Sequence, residues 1–204
     1  MITKESRMLL ISTLGTVMAI GLAFNYFPLQ SVRSVGPSSG SDATDALKAI
    51  AGYRNWTRVN PRPELMHVRA ALDCAISLSP SGADVDGETN PHKRKYITVY
   101  VNDSGRNAMM EQLSPKFPEG SVIVKEKLSE PSSQTPELLT VMIKREKGFN
   151  PESGDWEYAV FDGTGTKLES RGKLDNCQSC HLSHPKSDYV FRSYLPYEIR
   201  NKLK

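Results

Sequence analysis

A five-residue stretch with two thiols and an imidazole has the clearest chemical meaning in this sequence. It reads Cys177-Gln178-Ser179-Cys180-His181, with a histidine directly after the second cysteine. This C-x-x-C-H spacing is the attachment motif of c-type haem: two thiols form thioethers with one porphyrin, and the adjacent imidazole ligates the iron. With three Cys and four His in 204 residues, composition alone produces it in about one such chain per thousand. The sequence therefore predicts one covalent haem on Cys177 and Cys180, with His181 as an iron ligand.

Two other kinds of site use paired cysteines, and both suit this chain less well. A thioredoxin-like C-x-x-C follows a strand in a βαβ unit, whereas this motif follows a polar stretch containing glycines, residues 163–176. A structural zinc site needs a second pair of ligands. His184 is close in sequence, but Cys74 is the only further cysteine. Haem attachment is the preferred interpretation.

The composition is that of one ordinary domain with an apolar segment added at its start. The net charge is only +3, with Lys and Arg interspersed among acids, so no nucleic-acid partner is predicted. The apolar segment covers residues 8–27 and follows Lys4 and Arg7. It is long for a signal peptide and just long enough to span a bilayer. Residues 1–28 are therefore interpreted as either a signal peptide or a membrane anchor.

Both interpretations place the rest of the chain outside the cytoplasm, because positive residues before an apolar segment stay inside. We therefore predict a periplasmic protein, either soluble or tethered to the inner membrane through residues 8–27. Export suits c-type haem, which is attached outside the bacterial cytoplasm. Residues 29–44 are predicted as a flexible linker and residues 45–204 as the haem domain. In an exported chain Cys74 is either a buried small residue or a thiol that forms an intermolecular disulfide.

β-branched and aromatic residues predict a series of strands in the second half of the chain. These strands cover residues 96–101, 122–128, 138–144 and 155–161. Helices are predicted from residue 41 or 42 to about residue 50, and over residues 104–112. Consecutive strands with short turns predict a mostly antiparallel sheet. The expected fold class is α+β, with an N-terminal helix, short peripheral helices and a haem-binding loop near the C-terminus.

Several short segments precede and follow the C-x-x-C-H motif in a characteristic order. They are residues 53–56 (YRNW), 98–102 (TVYVN), 117–126 (FPEGSVIVKE), 154–156 (GDW) and 188–191 (DYVF). In this order they resemble the cytochrome P-460 family, which includes cytochrome c′-β, over roughly residues 53–194. The resemblance implies an antiparallel-sheet homodimer with one haem per chain and a five-coordinate iron with the motif histidine on the proximal side. It also implies hydroxylamine oxidation or the binding of nitric oxide and related small ligands.

The resemblance also draws attention to Lys125. P-460 members have a lysine bonded to a haem meso carbon, and Lys125 stands at the matching position. A neutral amine held against the porphyrin edge could add to an oxidised ring. Strand periodicity places Lys125 on one face with Ser121, Ile123 and Lys127, opposite to Val124, and this favours an ordinary solvated lysine. The cross-link is therefore implied by the resemblance alone.

The chain departs from the family pattern at one position that bears on the substrate. Hydroxylamine-oxidising members carry an arginine in the strand before the segment that begins at Val99, and this chain has Ile97 there. Loss of a polar group beside the iron favours apolar ligands over hydroxylamine. Three functions therefore stay open: a hydroxylamine-oxidising haem oxidoreductase with an unidentified redox partner, a nitric-oxide-binding protein, and an electron-transfer cytochrome with six-coordinate iron.

Other side chains are candidates for supporting roles at a haem. Candidate sixth iron ligands are His67, His92, His184, Met109, Met110 and Met142. Cations that flank the motif and could pair with haem propionates are Arg171, Lys173 and Arg192. Carboxylates that could carry protons are Glu126, Glu169 and Asp175, for which the alternative is an ordinary surface position.

Overall fold

A computed structural model describes residues 40–66 and 95–203 of the chain. Its strands are β1 (Thr57–Arg58), β2 (Glu64–Leu65), β3 (Tyr96–Val101), β4 (Val122–Leu128), β5 (Leu138–Lys144), β6 (Trp156–Asp162) and β7 (Leu168–Gly172). Within the described part they form one antiparallel sheet in the order β1-β3-β4-β5-β6-β7, with β2 also paired to β3. The predicted α+β class with a mostly antiparallel sheet is confirmed.

Short helices surround this sheet. They are α1 (Gly40–Ile50), α2 (Asp103–Met110), α3 (Asp175–His181) and α4 (Tyr197–Lys202), together with single 3-10 turns at Tyr53–Asn55, Pro151–Ser153 and Pro185–Ser187. Helix α2 begins after Asn102, whose side chain accepts the backbone N–H of Gly105 and so caps the helix. Helix α1 starts at Gly40, inside the range predicted as a linker.

The strands that were predicted are the long ones. Strands β3, β4 and β5 have the predicted bounds, and β6 starts one residue later than expected, at Trp156. Strands β1 and β2 were missed because each is only two residues long, and β7 was missed because it is polar and lies within the stretch 163–176. Between them, the buried side chain of Asn60 donates to the carbonyl of Ile97 and accepts the N–H of Val99, both at 2.8 Å. These side-chain hydrogen bonds take the place of backbone hydrogen bonds to β3, and they leave no strand periodicity in the sequence.

Both faces of the sheet are covered. One, here called the motif-side face, carries Ile97, Val99, Ile123, Met142 and Tyr158, and the segment after β7 packs on it. The other, the helix-side face, carries Val122, Val124, Leu139, Val141 and Phe161, and α1 packs on it through Ala46 and Ile50. Successive residues of each central strand therefore enter different cores.

Several predicted features fall outside the described residues: the apolar segment 8–27, Cys74, His67 and His92. Among the residues that are described, no helix combines the length and apolar character needed to span a membrane.

Candidate functional site

The C-x-x-C-H motif lies on α3, where the sequence predicted a loop. A helix explains the spacing, because residues at i, i+3 and i+4 lie on one face, and this face carries Cys177, Cys180 and His181. The helix is attached to the sheet through Asn150, whose side-chain amide donates to Gln178 Oε1 at 2.8 Å and to the carbonyl of Trp156 at 2.9 Å. Both cysteines are thiols; Cys180 is buried and Cys177 is partly exposed.

His181 is held as a neutral imidazole. Its Nδ1 lies 2.6 Å from the carbonyl oxygen of Tyr189, and its ring centroid lies 5.4 Å from that of Tyr158 and 5.0 Å from that of Phe191. Burial lowers the pKa of His181 to about 4; the hydrogen bond to Tyr189 opposes this, and the charge of Lys125 adds to it. Since a carbonyl can only accept, Nδ1 carries the proton and Nε2 keeps its lone pair. This is the form that binds a metal.

Lys125 lies on the same face of the sheet as His181. In β4 it stands opposite Val99 of β3 and Thr140 of β5, two positions along from Ile123, so its side chain is on the motif-side face. Its charge contributes to the lowered pKa of His181, which places it within electrostatic reach of the motif. The predicted grouping of Lys125 with Ile123 is correct. Its neighbours on this face, Ser121, Ile123 and Lys127, are buried, whereas Lys125 is partly exposed, so this is not the open surface expected for an ordinary solvated lysine.

The position at which this chain departs from the family pattern is fully buried. Ile97 has no exposed surface and faces the motif side. Of the candidate sixth ligands, Met109 and Met142 pack in the same core and Met110 lies partly buried against it. The ring centroid of His184 lies 4.0 Å from that of Phe191.

The three cations that flank the motif have different surroundings. Arg171 Nε donates to the buried carboxylate of Glu157 at 2.8 Å, and Lys173 Nζ lies 5.2 Å from the centroid of the Phe149 ring. Arg192 donates from Nε to the carbonyl of Met109 at 3.0 Å, while its Nη2 is buried and has no hydrogen-bond partner among the described residues. Burial lowers the pKa of Arg192.

These surroundings test whether the residues suit a haem. A buried guanidinium N–H without a partner is unfavourable unless an anionic group meets it, and a haem propionate is such a group. The donor set therefore fits: two thiols and a neutral imidazole on one helix face, with an unsatisfied cation on Arg192. By contrast, the described residues contain no cluster of three or more His, Cys, Asp or Glu side chains that could hold a metal ion.

None of the three carboxylates predicted as proton carriers is buried on the motif-side face, although Asp175 is the first residue of α3. Glu126 is buried and directly follows Lys125 in sequence, but its side chain lies on the helix-side face. There it accepts hydrogen bonds from Tyr53 Oη at 2.7 Å and from Arg54 Nε at 2.9 Å. Glu169 and Asp175 are exposed.

Two residues with roles at the site were not singled out from the sequence. Tyr158 contacts the His181 ring, and its hydroxyl lies 2.8 Å from Ser153 Oγ; burial raises the pKa of Tyr158 to about 12. Asp188 is a buried acid within the apolar stretch 188–191. The sequence signal for Asp188 was an acidic residue within an apolar stretch. Tyr158 gave no such signal, because an aromatic residue is common at alternating positions of a strand.

The antiparallel sheet and the C-x-x-C-H helix packed on one of its faces together define a β-rich haem protein. The sequence profile described as Cytochrome P460 matches residues 50–192, which includes the sheet from β1 to β7 and the motif. The chain belongs to the cytochrome P460 family, whose members are c-type haem proteins related to hydroxylamine oxidation. A comparison with curated proteins found no match.

The turn that carries Gly154 should be sensitive because it touches the segment that holds His181. Gly154 has φ +63°, and a Cβ there would lie 2.5 Å from the Tyr189 ring. Gly148 is the matched control, since its φ is +97° but an added Cβ meets nothing within 4 Å. We expect Gly148→Ala to lower the free energy of unfolding by about 1 kcal/mol through backbone strain, and Gly154→Ala by about 3 kcal/mol because overpacking is added. Urea unfolding followed by circular dichroism measures both; equal losses would contradict the contact.

Proposed function

We propose that this chain is an exported c-type haem protein with an open iron position, which carries out redox chemistry on small nitrogen species such as hydroxylamine or nitric oxide. The main support is that α3 carries two thiols and a neutral His181 on one helix face, and that Cys177 and the His181 ring pack against the sheet face that also carries Lys125. Export is supported by the apolar segment 8–27 and its preceding cations.

Each residue has a defined part in this proposal. Cys177 and Cys180 hold the haem as thioethers, His181 is the proximal ligand, and the Arg192 guanidinium pairs with a propionate. When bound, the haem iron supplies a site where a small nitrogen ligand coordinates and gives up or shares electrons. Val99, Ile123 and Ile97 make the adjoining sheet surface apolar and keep water from it.

A second function is favoured by one observation. Ile97 is buried and apolar at the position where hydroxylamine-oxidising relatives carry an arginine. An apolar surface there suits a ligand such as nitric oxide, which needs little hydrogen bonding, and offers hydroxylamine no polar partner. Capture of nitric oxide without turnover is therefore the alternative. Electron transfer with six-coordinate iron is a third function; it needs a sixth ligand, and of the candidates Met109 and Met142 are packed in the core.

We also propose a periplasmic homodimer, soluble or tethered through residues 8–27. The family resemblance supports the dimer, and the N-terminal sequence supports the location. Oxidation of a substrate would require a redox partner protein.

Covalent attachment is the first property to test. Co-expressed with a haem-maturation system, the protein should stay red through acid-acetone extraction because two thioethers hold the porphyrin. Cys177→Ala and Cys180→Ala should each leave one thioether, and the double variant should release all its haem. Quantitative extraction of haem from the wild-type protein would contradict attachment at the motif.

Absorption and electron paramagnetic resonance spectra separate the three functions. We expect high-spin, five-coordinate spectra in the ferric and ferrous states, and a nitric oxide adduct in the ferrous state, since the iron has one protein ligand. Steady turnover of hydroxylamine with an artificial electron acceptor supports the oxidoreductase. Nitric oxide binding without turnover leaves the capture function. Six-coordinate low-spin spectra in both states would reject the open site.

The family resemblance further supports a covalent bond between Lys125 Nζ and a haem meso carbon. Its formation breaks one N–H and one C–H bond and releases two protons and two electrons, which a peroxide oxidant would accept. We expect a ferrous Soret band far to the red of an ordinary c-type haem. Lys125→Ala should return the ordinary spectrum while both thioethers survive, because only the third attachment is lost.

Two controls make this prediction specific. Lys125→Arg keeps the positive charge without the primary amine and should behave as Lys125→Ala does. Lys127→Ala removes a neighbouring lysine from the same face and should leave the red-shifted band unchanged. Mass spectrometry of the haem peptide gives the direct answer. A peptide carrying residues 177–181 without the Lys125 segment would show that no cross-link forms.

A further inference from the structure

A buried acid lies at the centre of the segment that follows the haem motif. Asp188 is 4% exposed. Its Oδ2 accepts hydrogen bonds from the ammonium of Lys144 at 2.7 Å and from the backbone N–H of Phe117 at 2.9 Å. The backbone carbonyl of Asp188 accepts the indole N–H of Trp156, also at 2.7 Å. The last residue of β5, the first residue of β6 and the chain before β4 therefore hold this one residue.

Other charges near Asp188 are few among the described residues. Lys144 Nζ also lies 5.0 Å from the centroid of the Trp156 ring, so this cation contacts both Asp188 and Trp156. Lys116 Nζ lies 3.9 Å from the second carboxylate oxygen but is largely exposed, which makes it a weak partner. The strong ion pair is with Lys144, whose side chain is only 12% exposed.

The backbone at this point has an unusual conformation. Asp188 has φ +54° and Tyr189 has φ +65°, so two adjacent residues with a Cβ occupy the left-handed region. Each costs about 1–2 kcal/mol relative to an ordinary conformation. Such a pair persists only where surrounding contacts determine it. Here the contacts of Asp188 act together with backbone hydrogen bonds of the same segment, among them the Tyr189 N–H to the His184 carbonyl at 2.8 Å. The result is that the Tyr189 carbonyl reaches His181 Nδ1 at 2.6 Å.

We propose that Asp188 is a positioning residue for the proximal ligand: its contacts with Lys144, Phe117 and Trp156 set the backbone so that the Tyr189 carbonyl accepts the His181 Nδ1–H. This inference rests on the proposed function, in which His181 ligates a haem iron. A hydrogen bond at Nδ1 fixes the tautomer and ring orientation and makes Nε2 a more basic ligand. A more basic ligand stabilises ferric over ferrous haem. Asp188 thereby controls the reduction potential without contacting the haem.

The test uses the haem-loaded chain and two spectroscopic readouts that a merely structural role would not move. Asp188→Asn keeps the size of the side chain and an acceptor for the Phe117 N–H but removes the charge paired with Lys144. We expect the ferrous iron–histidine stretching band in the resonance Raman spectrum to move to lower frequency. We also expect the ratio of ferrous to ferric haem at a fixed potential to rise by about tenfold, by analogy with the lower end of what loss of a second-shell partner does to metal affinity.

Two further variants keep the proposal testable if Asp188→Asn does not fold. Trp156→Phe removes the donor to the Asp188 carbonyl while keeping an aromatic ring, and it should shift both readouts in the same direction. Lys144→Met combined with Asp188→Asn removes both charges, and it should recover stability while the band stays shifted. Glu137→Gln is the matched control: it breaks an ion pair of similar length, Lys95 Nζ to Glu137 Oε1 at 2.6 Å, on the exposed surface. It should change neither readout.

The outcomes distinguish this inference from the proposed function. If Asp188→Asn and Trp156→Phe lower only the melting temperature and leave the band and the potential as in the wild type, Asp188 is structural and the inference is overturned. If the wild-type ferrous haem itself shows no iron–histidine band, the iron is not five-coordinate with a histidine ligand. In that case the proposed function fails and takes this inference with it.

Discussion

The hydrogen bond between His181 Nδ1 and the Tyr189 carbonyl is the contact on which the arrangement of the site depends. It joins the end of the motif helix to the segment that returns over the sheet, at 2.6 Å. Because the acceptor is a carbonyl, the proton position follows from geometry. The low pKa of His181, about 4, keeps the ring neutral over the physiological range. A single backbone oxygen thus determines the orientation and the tautomer of the imidazole, while burial keeps the ring neutral.

That oxygen is in place because of contacts made elsewhere in the sheet. Trp156 and Lys144 are neighbours across β5 and β6, and both bind Asp188. A pair of adjacent residues in the left-handed region is unfavourable by itself, so the sheet supplies the free energy that holds the turn. Gly154 also supports this segment, because the Tyr189 ring packs against it and any larger residue there would clash with that ring. The geometry of the site therefore depends on contacts with the sheet as well as on the sequence of the motif.

Strand β4 shows how one strand serves two cores. Lys125 and Glu126 are consecutive, yet Lys125 lies on the face that carries the motif and Glu126 lies on the face covered by α1. Glu126 is matched there by Tyr53 and Arg54, which come from the same turn after α1. The alternation of strand side chains separates Lys125 from the partly buried Arg54–Glu126 ion pair one residue away.

The sequence by itself determined the haem motif, the strands β3 to β6 and the grouping of Lys125 with Ile123. These are local properties, since a five-residue spacing or a two-residue period needs no knowledge of distant segments. It did not reveal β1, β2, β7 or the helical state of the motif, because two-residue strands, a polar five-residue strand and a seven-residue helix have too little pattern of their own. Only the tertiary structure decided which sheet face is buried beneath the motif, that Arg192 rather than Arg171 keeps an unsatisfied donor, and that Asp188 is buried against Lys144. Each of these depends on residues far apart in the chain, whose contacts are set by how the C-terminal segment packs on the sheet.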